Sequence, residues 1–466
     1  MTVHSLVKES VEAGRVADQR RLIAKYDGRV PRYTSYPTAV QFTPAVTPDA
    51  YLEWLAAIPV AQPVSVYVHV PFCARLCWFC GCHTRVMRRA QPISDYVRWL
   101  RTEATLIERV LPKGVWANDL HLGGGTPNLL SRDDLVDLFG ILRHVFKLAP
   151  GAEISAEIDP TSLTQDWVRA AAHHGLSRAS LGVQDLSPLV QAAVNRREDF
   201  DTIDRGVGWL RAAGIRSINL DLMYGLPRQS VDDVVSSLDK VLGLAPDRIA
   251  LFGYAHVPWM KPHQNLIDAA DLPGSAARLE QSQTAAVRLE QAGYVRVGLD
   301  HYALPDDDLA RSARAGRLRR NFQGYVPTAS ETLIGLGASA ISQTPSGFAQ
   351  NLPTELQWRG ALIAGQAPIA RGCVLTGEDR FRGEIIERLM CDLAVDLAQI
   401  CRRHDRALES LNGERAQLEP MRDDGLITID GDRVAATEQG RPFIRAVCAV
   451  FDRYLQPVAA RHAPAI

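Results

Sequence analysis

Four of the chain's eight cysteines, Cys73, Cys77, Cys80 and Cys82, fall within the run VPFCARLCWFCGCHT. In a chain of this cysteine content, a chance recurrence of Cys at both +4 and +7 is on the order of 0.002 over all starts. The spacing therefore requires a chemical reason. Disulfides are disfavoured in a long chain whose opening residues, MTVHSLVKESVEAG, lack the apolar core of a secretory signal. Structural zinc takes four ligands from two separated clips, whereas one compact group is present here. Three thiolates at x3 and x2 spacing can each hold one iron of a cubane from a single loop, leaving the fourth iron open to a substrate or cofactor. Iron–sulfur is the stronger reading and zinc stays open. Cys82 sits too close behind Cys80 to reach the same cluster easily. Cys373, Cys391, Cys401 and Cys448 are scattered and read as packing.

The elements that position this loop follow from periodicity. VSVYVHV (64–70), DLHLGG (119–124), EISAEID (153–159), RASLGV (178–183), SINLDLM (217–223) and RIALFGYAHV (248–257) read as strands. Helix-like stretches separate them, among them SRDDLVDLFGILRHVF, which Ser131 caps and whose apolar face holds Leu135, Leu138 and Leu142. Strand alternating with helix means a parallel sheet with crossovers. Six such units fall short of the eight of a closed barrel, so the expected fold is α/β, an open partial barrel whose active rim lies at the strand C-termini. The Cys loop follows the first strand and Gly123 to Asn128 the second. Glu157 and Asp159, Gln184 and Asp185, Asp221 and Tyr224, and Tyr254 to His256 end the next four. Any one of these polar groups could be a helix cap or a solvated loop. Their convergence on the rim that carries the cysteines marks a site.

Three segments are expected: a Pro-punctuated extension over 1–60, the barrel over 61–360, and a mainly helical accessory or lid domain over 361–466. In the last, LTGEDRFRGEIIERLMCDLAVDLAQICRRHD reads as helix. LITID and VAAT then form a hairpin around Gly431–Asp432, and EQGRPFIRAVCAVFDRYL closes as helix. That resembles a winged-helix unit, but acidic residues slightly outnumber basic ones there, against a nucleic-acid role. The whole chain is balanced, 52 Lys+Arg against 53 Asp+Glu, so nothing global draws it to nucleic acid or anionic membrane. No stretch reaches ~18 consecutive apolar residues, and a cytoplasmic location is expected.

CARLCWFC together with GGGTP resembles the radical S-adenosylmethionine enzymes. Within that superfamily, PRYTSYPTA, YVHVPFCARLCWFCGC, HLGGGTPNLL, AEISAEIDP, SLGVQD, NLDLMYGLPRQ, FGYAHVP and RNFQGY are similar to the oxygen-independent coproporphyrinogen III oxidases, from about residue 30 to the end. The resemblance implies that Cys73, Cys77 and Cys80 hold a 4Fe-4S cluster whose open iron chelates S-adenosylmethionine. It implies a 5′-deoxyadenosyl radical that takes hydrogen from a propionate of coproporphyrinogen III. Loss of CO2 and an electron then leaves a vinyl group, on rings A and B in turn, giving protoporphyrinogen IX. No side chain is then catalytic in its own right.

Tyr67 and Phe79 are implied beside the cofactor, and Gly123, Gly124, Gly125 and Thr126 at its methionine amino group. Glu157, Gln184, Arg196, Asp221, Ala255 and Ile341 are implied in further contacts. Phe79, Gln184, Arg196 and Asp221 fit a second S-adenosylmethionine. Arg32, with Arg319 or Arg320, is expected on the propionates. Cys82 has no assigned role, and Trp78 stands where many relatives carry Tyr. A flavodoxin- or ferredoxin-like electron donor, an electron acceptor and a monomeric state are also implied. The alternatives are a haem-binding chaperone of the sister group and a zinc-stabilised DNA-binding regulator.

Overall fold

Alternation along parallel strands divides the main sheet into two chemically different faces. In chain order its strands are β1 (Val64–Val70), β2 (Trp116–Gly124), β3 (Lys147–Ile158), β4 (Arg178–Gln184), β5 (Ser217–Tyr224), β6 (Arg248–Gly253), β7 (Val295–Val297), β8 (His301–Ala303), β9 (Thr332–Leu336), β10 (Ile341–Thr344), β11 (Gly347–Asn351) and β12 (Ile369–Val374) in this computed structural model, which describes residues 18–327 and 330–455. The opening residues read for a signal, and the start of the 1–60 extension, lie outside the described residues.

Val66, Val68, Leu120, Ile154, Ala156, Leu181, Leu220 and Ile249 join one buried cluster with Leu100 and Ala104 of α1 (Ala90–Glu108) and Leu135, Leu138 and Leu142 of α2 (Arg132–Val145). The intervening positions, Ser65, Tyr67, His69, His121, Ser155, Glu157, Ser180, Asn219 and Asp221, are mostly polar. Parallel strands covered on both faces normally read as unbroken apolar runs. Here the concave face is left for polar chemistry. Ser131 caps α2 through a full capping box with Asp134, as its sequence position leads one to expect.

The strand order is β12-β11-β10-β9-β1-β2-β3-β4-β5-β6-β8-β7. Strands β1 to β6 are the six expected parallel units of an open barrel. The sheet is wider than the six runs suggest: β9 adds a parallel strand beside β1, and antiparallel strands of three to six residues extend both edges. Because β12 covers 369–374, the barrel sheet extends beyond residue 360.

Glu103 on α1, 2% exposed, ties these layers together. Its carboxylate accepts from Gly337 N (2.7 Å), Asn351 Nδ2 (2.6 Å) and Trp358 Nε1 (3.2 Å). Burial pushes its pKa up to about 7 against those three donors.

The C-terminal region packs α3 (Gly377–Asp392), α4 (Leu397–Arg403) and α5 (Asn412–Asp423) on a three-stranded sheet of 394–396, 433–436 and 427–430. The helix expected over 375–405 is broken at Leu393, which adopts a left-handed φ of 56° before a short strand. The closing helix contracts to Ile444–Ala449: a Cβ on Gly440 would lie 1.7 Å from the Leu426 carbonyl oxygen, so the chain there is fixed by close backbone approach. Leu22, Tyr26, Tyr33 and Tyr36 of the N-terminal extension enter this second core, whereas Tyr51, Leu55 and Ile58 enter that of the barrel. The extension thus joins both bodies.

Candidate active site

Cys73, Cys77 and Cys80 lie on the loop that leaves β1, and two separate segments fix that loop. Val194 O accepts from Trp78 N at 3.0 Å, Asn195 Nδ2 donates to Leu76 O at 2.9 Å, and Arg75 donates to Arg197 O at 2.8 Å. From the segment after β6, Gln264 donates to Phe79 O (2.9 Å), His263 Nε2 to Cys80 O (2.8 Å) and Lys261 to Cys82 O (3.1 Å). With its carbonyls held from both sides, the loop can present sulfur without relying on a ligand to shape it.

Each sulfur has a polar neighbour. Cys73 Sγ is 2.9 Å from Thr84 Oγ1, Cys77 Sγ accepts from Arg196 Nη1 at 3.5 Å, and Cys80 Sγ accepts from Cys82 N at 3.4 Å. Burial pushes the Cys73 and Cys77 thiols up, whereas hydrogen bonding from Cys82 brings Cys80 down to about 7. Among the described residues, no three His, Cys, Asp or Glu side chains close around a single metal ion. The three thiols are electrostatic neighbours without forming a one-ion site. That donor set fits a cubane, in which each thiolate takes a different iron.

Across the sheet, His69 pairs with Gly123 and Val70 with Gly124, which sets the glycine turn beside the Cys loop. There is no room on this turn for side chains. A Cβ on Gly124, whose φ is +109°, would meet the His69 ring at 2.5 Å, and one on Gly125 would lie 2.5 Å from Phe72 O. Gly124 N donates to Glu157 Oε2 (2.9 Å), and Glu157 Oε1 also accepts from His121 Nε2 (3.4 Å). Burial raises the Glu157 pKa, but these donors outweigh it and leave the group low, hence ionised. His69 Nε2 donates to His83 O (2.8 Å), so its Nδ1 accepts from Tyr67 Oη (3.0 Å). Burial lowers its pKa and keeps it neutral.

Further round the rim, Gln184 ends β4 with φ of 68° at a register shift. Asp221 accepts from Ser180 Oγ (2.8 Å) and Asn219 Nδ2 (2.7 Å); burial and the nearby Glu157 charge raise its pKa to about 6. Arg196, 8% exposed, also donates to Gly182 O and pairs with Asp159 (3.5 Å) and Glu198 (3.3 Å). Phe79 packs on an apolar group containing Val190, Val194 and Tyr254. Arg32 donates to Gly253 O at 2.7 Å, two residues before Ala255. Thr126 reaches Cys73.

The structure therefore links Cys73 with Thr126, Cys77 with Arg196, and Gly124 with Glu157. Ile341 opens β10, two strands from β1. Of the two alternatives for the propionates, Arg319 is committed to Glu387 at 3.0 Å, while Arg320 faces an inner cavity. Sequence reasoning did not single out His69 and His121, although both share the strand parity of Tyr67. It also overlooked Lys261, His263 and Gln264, for which an irregular segment offers no periodic signal.

Residues 67–241 match the Radical SAM superfamily model, and residues 375–443 the HemN C-terminal domain model. The chain is 43% identical to an oxygen-independent coproporphyrinogen III oxidase of Bradyrhizobium diazoefficiens over 94% of this chain and 97% of that one. It is 42% identical to an enzyme of the same name from Paracoccus denitrificans, covering 96% and 99%. Its fold superposes on coproporphyrinogen III oxidase (HemN) from Escherichia coli with a TM-score of 0.87 at 36% identity, covering 92% of this chain and all of that one. The superfamily implies a 4Fe-4S cluster and S-adenosylmethionine, which the thiol set suits. The full-length relatives are oxidases, and the chaperone reading is not supported. On a shared fold, an end-to-end match and a cysteine loop built as the superfamily requires, the chain belongs to the oxygen-independent coproporphyrinogen III oxidases of the radical S-adenosylmethionine superfamily.

Proposed function

We propose that the chain converts coproporphyrinogen III to protoporphyrinogen IX by oxidative decarboxylation of the ring A and ring B propionates. The observation that carries the reading is the placing of three donor-supported thiols at the mouth of a barrel whose concave face is polar. A 4Fe-4S cluster with S-adenosylmethionine, when bound, supplies one-electron chemistry that yields a hydrogen-abstracting organic radical. Cys73, Cys77 and Cys80 hold that cluster.

The rest of the chain binds, orients and excludes water. The turn Gly124, Gly125 and Thr126 offers close backbone approach to an ammonium. Glu157 stays ionised beside it, and Tyr67 closes the base of the site. Each Asp221 oxygen keeps a lone pair beyond its present bond, which suits ribose hydroxyls. Arg196 Nε is buried with no hydrogen-bond partner and is available to a carboxylate. Phe79 presents an aromatic face to adenine, and Gln184, Ala255 and Ile341 complete the contacts. Phe79, Gln184, Arg196 and Asp221 also suit a second S-adenosylmethionine. Residues 1–60 contribute Arg32 to the substrate, and 361–466 act as the lid. A flavodoxin- or ferredoxin-like protein donates electrons, a separate acceptor takes up those released, and the protein works as a cytoplasmic monomer; among the described residues no helix is long and apolar enough to cross a membrane.

Asp221 gives this reading a pH signature. A carboxyl at about 6 is neutral below that pH and loses half its capacity to accept from ribose hydroxyls. The KM for S-adenosylmethionine is expected to rise as pH falls through about 6, and Asp221→Asn to raise KM and flatten this dependence. A wild-type KM that is constant from pH 5 to 8 would remove Asp221 from the cofactor site.

The deciding experiment is an anaerobic assay of cluster-loaded protein with S-adenosylmethionine, a strong reductant and coproporphyrinogen III, read by mass spectrometry. Protoporphyrinogen IX with 5′-deoxyadenosine is the expected outcome, and neither should form without S-adenosylmethionine. Deoxyadenosine without vinyl product would move the substrate elsewhere. Neither product from iron-replete protein would refute the catalytic reading.

A further inference from the structure

Past the cofactor rim, beyond the ends of β5 and β6, four guanidinium groups from distant parts of the chain meet in one cavity. Arg32 comes from the N-terminal extension, Arg278 from the helix Ser275–Gln291, Arg320 from the short hairpin after β8, and Arg445 from the last helix. Tyr224 and Asp300 complete the lining that matters here. Register connects the two places: Asp221 is opposite Ala250, and Ala250 is opposite His301, whose Nδ1 bonds Asp300 at 2.7 Å.

The charges do not balance inside this space. Two further lining arginines, Arg296 and Arg441, are compensated by Glu290 and Glu438. Among the described residues, however, no carboxylate forms an ion pair with Arg32, Arg278 or Arg320. Arg32, at the exposed side of the cavity, donates to the Gly253 carbonyl. Arg278 lies over the Tyr224 ring with its buried Nε unbonded, and Arg320 lies 4.3 Å from the Tyr325 ring centroid with buried Nε and Nη1 unbonded. Asp300 is the acid in the lining; burial raises its pKa, but His301, Arg320 and Arg32 hold it at about 2, so it is ionised and sets one negative charge against the four guanidinium groups. Leaving the inner guanidinium nitrogens of Arg278 and Arg320 buried without partners is costly. Such an arrangement makes sense where an anion completes it. The cavity measures about 90 Å³, room for about three waters or for carboxylate side arms, and not for a tetrapyrrole ring.

We infer that this cavity is a carboxylate-anchoring subsite, in which Arg32, Arg278, Arg320 and Arg445 grip propionate arms of the tetrapyrrole that are not reacting. The inference rests on the proposed substrate. Anchoring arms at one end fixes which arm reaches the cofactor, so the subsite determines regiochemistry as well as affinity. Because its arginines come from the extension, the barrel and the C-terminal region together, the anion also ties those three parts of the chain to one another.

Coproporphyrin III, the oxidised and unreactive tetracarboxylate, and its tetramethyl ester are titrated separately into cluster-loaded full-length protein, with binding followed by porphyrin fluorescence. The acid is expected to bind at least tenfold more tightly than the ester. Arg278→Gln and Arg320→Gln should each weaken the acid by about tenfold and leave the ester unchanged. Arg288→Gln, which breaks an exposed ion pair with Asp239, should change neither. Arg278→Lys guards against misfolding, because it keeps the charge and should bind acid between wild type and Arg278→Gln. Equal affinities for acid and ester, or acid affinity unmoved in both Gln variants, would overturn the inference. Turnover of coproporphyrinogen III on the same preparations tests the catalytic reading separately: if wild type shows none, that reading fails while the acid-to-ester ratio still decides the subsite.

Discussion

Arg196→Met is expected to lose about 3–5 kcal/mol of stability before any cofactor is added, together with most of its iron after reconstitution. Arg196 stands between the Cys77 sulfur, the Gly182 carbonyl, Asp159 and Glu198, whose side chain has no exposed surface. Met matches its length and apolar stem but leaves two buried carboxylates facing each other, with Arg75 the nearest remaining cation at 3.7 and 3.9 Å. Removing one member of a buried charge network costs more than the network itself contributes, because the partners stay desolvated. Thermal melts of metal-free protein and iron counts per chain check this. A residue acting solely on S-adenosylmethionine would leave both unchanged and raise only KM, so those two readouts distinguish a structural support of the Cys loop from a ligand contact. Arg196→Lys should recover part of the stability, since the charge returns while the fork that reaches sulfur, carbonyl and carboxylate together does not.

The same network shows how far a sequence can be read. Cys73, Cys77 and Cys80 were legible because their chemistry is encoded in spacing, and Arg196 only through its position in the family resemblance. That Arg196 touches Cys77 was not legible, since the contact depends on how the segment after Gln184 folds back. β1, with Val64–Val70, matches the sequence run residue for residue, and β5 differs by one, because period-two patterning on a half-polar face is an unambiguous signal. The run 248–257 ends early, at Gly253, where Tyr254 N turns to the Tyr224 carbonyl and Arg32 takes the Gly253 carbonyl. Strands β7 to β11 have three to five residues each and no alternation long enough to detect. The inner arginine cavity was the least accessible feature: its four main residues span positions 32 to 445, and only the folded chain brings them together.

Gly124→Ala should abolish S-adenosylmethionine cleavage while leaving the barrel folded. The new Cβ would sit 2.5 Å from His69 Cε1 and Nδ1, on a residue whose φ of +109° is costly for any L side chain. His69 cannot yield easily, because one ring nitrogen holds the His83 carbonyl and the other holds Tyr67. The turn must move instead. Moving it breaks the bond from Gly124 N to Glu157 Oε2, one of the donors that keep Glu157 ionised, and shifts Gly125 against the Phe72 carbonyl. Backbone strain of ~1–3 kcal/mol would thus be concentrated where the cofactor's ammonium is bound. The expected result is a loss of cofactor binding of at least a hundredfold, measured by equilibrium dialysis on the cluster-loaded protein, with near-wild-type iron content and a melting temperature reduced by only a few degrees. Adding His69→Ala to Gly124→Ala separates the two causes. Removing the ring relieves the contact but not the φ, so the double variant should recover binding in part. Full recovery would assign the defect to the ring alone, and no recovery to the backbone alone.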